Sequence, residues 1–188
     1  MSFTLQKSAI DSGVYEILAF GEVVKELTVP FKLYKWPSTF SSIEEIERFI
    51  SSEEKRASTR AAYRLVAAKP QSAFELKQKL ERKGFSQNCL NALIEEFKQL
   101  GYLSDADLTR SIIEKEIRKG YGPRYIEAKL RSLGLAADQV RKIVTDKQQR
   151  EAIATLKKRW PKPAAALQRR GFDIGLIFSE LKNFVNEE

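Results

Sequence analysis

The chain contains no histidine, which removes the commonest general base and the commonest metal ligand. Its one cysteine, Cys89, cannot form an internal disulfide. It falls on a helical pattern, where a free thiol reads as a small buried hydrophobe. No glycine-rich phosphate loop, cysteine cluster or acidic metal motif occurs. The nearest candidate is Asp105-Ala106-Asp107, which stands at an expected helix N-terminus. Carboxylates there satisfy free backbone N–H groups and complement the helix dipole, and nothing nearby completes a coordination shell. These residues point to a chain that is not an enzyme and carries neither cofactor nor metal. Its chemistry is that of lysine and arginine, the recognition of negative charge.

The cations are unevenly placed. Residues 1–56 carry 7 Lys+Arg against 9 Asp+Glu, and residues 57–188 carry 26 against 16. Within 118–170 there are 15 basic and 4 acidic residues, a local net charge of +11. An excess of this size implies a polyanionic partner, nucleic acid or an acidic protein surface. The candidate contact residues are Lys77, Lys79, Arg82 and Lys83, then Arg118, Lys119, Arg124, Lys129 and Arg131, then Lys157, Lys158, Arg169 and Arg170. Arg159 extends the last cluster. One basic residue at a helix C-terminus is ordinary dipole complementation; recurrence at equivalent positions makes a stripe.

The elements that carry these cations repeat. Leu80-Glu81-Arg82-Lys83-Gly84-Phe85, Leu130-Arg131-Ser132-Leu133-Gly134-Leu135 and Leu167-Gln168-Arg169-Arg170-Gly171-Phe172 share one pattern. A helix ends on a leucine and a polar turn. Glycine follows four residues after the leucine, then a large apolar residue and a further apolar-periodic helix. Gly84 is the expected C′ glycine in the left-handed region. Ser72 with Glu75 reads as a capping box, and Lys69-Pro70 ends the helix before it. Gly120-Tyr121-Gly122-Pro123 breaks the chain again, with Pro123 suited to a first helical turn. The third copy is more compact: Ile153, Leu156 and Trp160 share a helix that stops at Pro161-Lys162-Pro163, and its last helix carries Ile174, Ile177, Phe178, Leu181 and Phe184.

Earlier, Ser42 and Glu45 form another capping box, opening a helix that carries Ile46, Phe49 and Ile50. Val14 to Phe20 and Val23 to Val29 are rich in β-branched and aromatic residues around Gly21-Glu22 and read as a hairpin. Residues 31–36 alternate apolar and basic between Pro30 and Pro37, and a third strand is expected there. The expected fold is mainly α: three tandem three-helix, helix-turn-helix-like repeats in an elongated array. A small N-terminal β-hairpin or sheet and a linking helix precede them. The expected divisions are 1–56 for the β region and helix, 57–103 for the first repeat, 104–148 for the second and 149–188 for the third. No apolar run spans a bilayer and no signal-peptide core is present, so a cytoplasmic location is expected.

Three segments resemble the RecX family of regulatory proteins. They are Glu75-Leu76-Lys77-Gln78-Lys79-Leu80-Glu81-Arg82-Lys83-Gly84-Phe85, then Gly101-Tyr102-Leu103-Ser104-Asp105, then Lys119-Gly120-Tyr121-Gly122-Pro123-Arg124-Tyr125-Ile126 with Leu130 and Gly134. The resemblance covers about residues 57–184. It implies binding to the filament that the RecA recombinase forms on single-stranded DNA. It also implies inhibition of strand exchange and of filament-stimulated repressor cleavage in the SOS response. The expected partners are that filament and, within it, the DNA phosphate backbone; no membrane is expected, and the protein itself is expected to be a monomer. Two alternatives stand beside this reading: a sequence-specific helix-turn-helix transcription factor, and a helical adaptor for an acidic protein. The third helices begin Ser86-Gln87-Asn88, Ala136-Ala137-Asp138 and Asp173-Ile174. Small, polar or acidic starts of this kind disfavour base-specific readout.

Overall fold

The computed structural model describes residues 2–10, 13–29, 31, 33, 35–160 and 162–185, the last three by their backbone. Pro30, Lys32, Tyr34, Pro161 and the Phe184 side chain lie outside the described residues. The chain is mainly helical, with a small three-stranded antiparallel sheet at its N-terminus. It divides into two compact units. One comprises Met1–Gln71 and Glu75–Leu103, the other Ser72–Phe74 and Ser104–Glu188. No helix among the described residues is long and apolar enough to cross a membrane.

In the first unit β1 (Phe3–Lys7), β2 (Val14–Ala19) and β3 (Glu22–Thr28) pair in the order β1-β2-β3. Tyr15, Ile17 and Ala19 alternate inward along β2, as period-two patterning requires. Phe20 and Gly21 join β2 to β3 with φ of 53° and 84°. Two positive φ values are what a two-residue hairpin turn of the I′ kind needs. The third strand of the sheet is β1; of the strand expected over residues 31–36, Lys32 and Tyr34 lie outside the described residues, and Phe31, Leu33, Lys35 and Trp36 are not in strand conformation. Leu5 of β1 enters the core with Tyr15, Ile17, Val29, Leu33, Phe40 and Ile46. Trp36 is held there as a packing group, its Nε1 donating to the Leu5 carbonyl at 2.7 Å and its ring edge-on to Tyr15.

Helix α1 (Ile43–Ala68) begins at Ser42, whose hydroxyl accepts from the Glu45 N–H at 3.2 Å. The Glu45 carboxylate accepts the Ser41 N–H, one residue before the position a capping box uses. The helix then runs 26 residues without a break, through the boundary expected between residues 56 and 57. No glycine or proline occurs between 43 and 68, so nothing stops it before Lys69, which is extended ahead of Pro70. Helices α2 (Ala73–Glu81) and α3 (Gln87–Gln99) bury Leu76, Leu80, Leu90, Leu93, Ile94 and Phe97. Cys89 is half-buried, its Sγ 3.2 Å from the Ser58 hydroxyl; burial pushes its thiol pKa up.

The second unit contains α4 (Asp105–Arg118), α5 (Pro123–Ser132), α6 (Val140–Ile143), α7 (Asp146–Leu156), α8 (Pro163–Arg169) and α9 (Ile174–Val185). The helix expected over Val140, Ile143 and Val144 is a single turn, α6, and Ile143 stays exposed. Helix α7 stops at Leu156; a 3₁₀ turn (Lys157–Arg159) follows, and Trp160 is extended. One core holds Ile113, Ile126, Leu130, Leu135, Val140 and Val144; another holds Ile153, Leu156, Leu167, Phe172 and Ile177.

The three leucine-to-glycine turns share one local geometry. Gly84, Gly134 and Gly171 have φ of 87°, 69° and 81°. After each, the N–H of Phe85, Leu135 or Phe172 returns to the carbonyl of Leu80, Leu130 or Leu167. These are the six-to-one bonds of a Schellman end. Within the second unit, two of these turns each receive the start of another helix. Gly122 N–H donates to Arg170 O at 2.8 Å, and Arg124 N–H to Gly171 O at 3.0 Å. Ser72 Oγ donates to Leu133 O at 2.6 Å, while Phe74 lies directly against Gly134. The orphan carbonyls of one helix end thereby meet donors at another helix start.

Candidate basic interaction surface

The expected cations fall into engaged and free groups. The Asp105 carboxylate accepts the Ala73 N–H at 2.9 Å, while Ser104 caps α4 through the Asp107 N–H. Among the described residues, no cluster of three or more acidic, Cys or His side chains could hold a metal ion.

On α2, Lys77 donates to Asn91 Oδ1 at 2.7 Å. Lys79 donates to Gln71 Oε1 and lies 3.8 Å from Glu75. Arg82 and Lys83, on the turn, are exposed and have no ion-pair partner among the described residues.

Two buried acids organise the cations near α5. The Glu116 side chain is 1% exposed, and its Oε1 accepts from Lys129 Nζ at 2.8 Å and Lys119 Nζ at 3.1 Å. Its Oε2 has no hydrogen-bond partner among the described residues. Burial pushes the Glu116 carboxyl pKa up, but the hydrogen bonds from Lys129 and Lys119 and their charges outweigh it. The net displacement is below the ordinary carboxylate value. The hydrogen bond to Glu116 raises the Lys129 ammonium in turn. Glu127, 11% exposed, holds Arg141 Nε at 2.8 Å and Arg131 Nη2 at 3.4 Å. Arg124 and Arg141 also approach Asp173, at 3.8 and 3.9 Å.

Arg170 is a bracket. Its Nη1 donates to the carbonyls of Lys119 and Gly120, at 2.7 and 3.1 Å, closing the end of α4. Its guanidinium lies over the Tyr121 ring at 4.9 Å and the Trp160 ring at 5.2 Å. Tyr121 stacks on Tyr125 at 3.9 Å and 13°. Lys157 Nζ donates to the Glu180 carbonyl. Arg118, Lys158 and Arg169 are exposed, without an ion-pair partner among the described residues.

Sequence reasoning therefore named the cations but not what holds them. Glu116, Glu127 and Arg141 were missed, as were Tyr121, Tyr125 and Trp160 as a stacked group. Part of the signal was local: Glu116–Lys119 and Glu127–Arg131 have helical i,i+3 and i,i+4 spacing, and Tyr121 and Tyr125 are four apart. The rest is long-range.

The fold defines a mainly helical protein whose helices end at left-handed glycines, with lysines and arginines at or beside those ends. No family model matches the chain. Regulatory protein RecX of Thermus thermophilus is 32% identical over 120 residues, covering 61% of this chain and 83% of that protein. Regulatory protein RecX of Legionella pneumophila is 36% identical over 84 residues, 45% of this chain. The matched span is 56% of the Legionella protein's length. Among solved structures, RecX from Lactobacillus salivarius shares the fold with a TM-score of 0.63 at 19% identity, over 70% of this chain and 97% of that one. A second RecX crystal structure matches over 93% of this chain and 94% of its own, with a TM-score of 0.62 at 16% identity. The chain belongs to the RecX family of regulatory proteins.

Proposed function

We propose that this chain is a non-enzymatic regulator that binds the filament RecA forms on single-stranded DNA and restrains its recombinase and coprotease activities. The observation that carries the reading is the similarity to RecX regulatory proteins, which covers 61% of this chain and 83% of the Thermus thermophilus protein. In this reading residues 57–103, 104–148 and 149–188 are three tandem three-helix repeats, and 1–56 caps the first. The two matching joints support it, since Ser72 on the Gly134 turn and Gly122 on the Gly171 turn occupy corresponding places in the pattern. Phe31 stacked on Phe85 at 6.0 Å supports the capping role, because the first turn is then met by the N-terminal segment. An array of this kind lying along a filament groove gains avidity from several weak contacts.

The contacts assigned are the thirteen named cations, with Arg82, Lys83, Arg118, Lys158 and Arg169 the readiest to meet anions. The one-turn α6 has no N-terminal half to lay in a major groove, which disfavours the transcription-factor reading. The test is RecA-catalysed ATP hydrolysis on single-stranded DNA, titrated with this protein. Wild type should inhibit. Arg118→Glu, Lys158→Glu and Arg169→Glu combined should need at least about tenfold more protein, the loss of roughly three phosphate or carboxylate contacts. No effect of wild type on hydrolysis or strand exchange would end the filament reading.

A further inference from the structure

The sheet of the first unit packs one face on its core and leaves the other uncovered by any described residue. Cross-strand register sorts the uncovered face into two rows. Thr4, Leu18 and Val23 lie nearer the β2–β3 turn, and Gln6, Glu16 and Glu26 lie beyond them. Phe20, on the turn itself, is 84% exposed. Two features of this face work against the hairpin. Phe20 holds a φ of 53°, in a turn position that asparagine or glycine fills at less cost. Glu16 and Glu26 stand directly opposite one another, a like-charge pair that weakens a sheet. Neither is in an ion pair among the described residues. Gln6 donates to Glu16, and Lys25, the cation beside Glu26 in β3, is drawn to Glu47 of α1. Hydrogen bonds from Gln6 and Ser8 hold the Glu16 carboxyl below its ordinary value, so it stays charged beside Glu26. Backbone strain kept at an exposed site points to use rather than to folding.

The chain carries a surface that matches this face in chemistry and spacing. On α9, Ile174 and Phe178 are exposed one turn apart, Phe178 by 56%. No other helix among the described residues exposes two large apolar side chains. Lys182 continues the line a turn later, exposed and with no ion-pair partner among the described residues. Glu180 lies on another side of α9, paired with Arg150. The outward line is therefore apolar, apolar, cation. Phe178 and Lys182 are four residues apart, about 6 Å along a helix. Leu18 and Glu16 are two residues apart, about 7 Å along a strand. A helix laid along β2 thus sets Phe178 on Leu18 and Val23 as Lys182 reaches Glu16 and Glu26, with Ile174 toward Phe20. The carboxylates of the sheet face would repel a nucleic acid there.

We propose that copies of this chain associate head to tail, the uncovered sheet face of one seated on α9 of the next. The two patches differ, so the contact is heterologous and leaves one free patch at each end of the assembly. One helix over three short strands covers less than the roughly 1,600 Å² of a standard interface, so the association is weak in dilute solution. It does not depend on the filament reading and is tested with the protein alone. Sedimentation velocity should give a weight-average coefficient that rises with concentration between about 1 and 200 µM, as a small interface requires. Glu16→Lys with Glu26→Lys, and separately Lys182→Glu, should raise the concentration needed at least about tenfold, since like charges then face across the contact. An equimolar mixture of these two variants should recover the wild-type series, because lysines on the sheet then meet glutamate on the helix. Phe20→Asn should weaken association at least about tenfold through lost apolar burial. The same change should raise the thermal midpoint, because asparagine suits the turn.

Three outcomes overturn the proposal: a coefficient that stays flat across the series, a mixture no more associated than its components, or a lower midpoint in Phe20→Asn, which would show that the fold itself needs the ring. Any of these with RecA inhibition intact would remove the self-association and leave the filament reading standing. Association as described with no effect on RecA would do the reverse.

Discussion

Glu116 is a buried carboxylate with one oxygen shared by two lysines and the other without a hydrogen-bond partner among the described residues. Removing one partner of a buried ion group leaves charge uncompensated, which costs about 3–5 kcal/mol, whereas replacing the group as a whole costs far less. Lys129→Met leaves Lys119 alone on Glu116 and should therefore destabilise the protein by up to about 3 kcal/mol in urea denaturation. Glu116→Gln combined with Lys129→Met should recover much of that loss. Equal losses in the single and double variants would show that Glu116 is not charged in the folded protein. The pH dependence has a definite sign. A carboxyl held below its ordinary value of 4.5 contributes stability above that pH and loses it as pH falls through the folded value. Lys129 is raised above 10.5, so its share is present below that value and lost as pH rises further. The stability difference between wild type and Glu116→Gln should be flat at neutral pH and shrink at the acid and alkaline ends, measured from melting curves across pH.

At the scale of elements, glycines that look alike in the sequence differ by what lies beside them. Gly171 and Gly101 have φ of 81° and 75°, so alanine is strained at both. A Cβ on Gly101 meets nothing within 4 Å, whereas one on Gly171 would fall 2.3 Å from the Tyr125 nitrogen. Gly101→Ala should cost roughly 1–2 kcal/mol, the left-handed backbone alone. Gly171→Ala should exceed about 3 kcal/mol, because backbone rather than a flexible side chain must move. Gly175, on α9 with open space around it, should behave oppositely, alanine there adding roughly 0.5–1 kcal/mol. Thermal midpoints of the three variants check the order. The left-handed glycines were legible because a helix end is signalled within a turn of itself. The continuity of α1 was legible too, in the absence of glycine or proline from 43 to 68, but the repeat pattern drew attention to residue 57 instead. The strand β1 was not legible: its place rests on backbone pairing of Phe3–Lys7 with β2, Phe3 meeting Ala19 and Lys7 meeting Tyr15, and no local pattern carries that.

Taken whole, the chain carries its excess of cations after residue 56. The N-terminal 56 residues carry net −2 and the remainder net +10. If phosphates dominate the partner's surface, inhibition of RecA should weaken steeply between low and physiological salt, the slope reporting the number of contacts. A salt-independent effect would place the interaction on apolar surface instead. The free cations sit at helix ends and turns. That placement lets them project without disturbing the cores beneath them, in which Leu76, Leu80, Ile126, Leu130 and Leu167 are fully buried.

The amino-acid sequence by itself determined the helix ends at Gly84, Gly134 and Gly171, which leucines anchor them, that the chain is basic in its C-terminal two-thirds, and which family it resembles. Each of those signals is local or additive: a glycine after a leucine, a period of three to four, a sum of charges. Tertiary structure alone decided which cations are held. Lys129 reaches Glu116 across 13 residues, and Arg170 reaches the Lys119 carbonyl across 51. No window of sequence contains both members of such a pair, so ion pairing at that range depends on how the helices pack. The same packing turned a repeat of basic turns into two kinds of arginine: Arg170, bracketed between carbonyls and aromatic rings, and its neighbour Arg169, exposed to solvent.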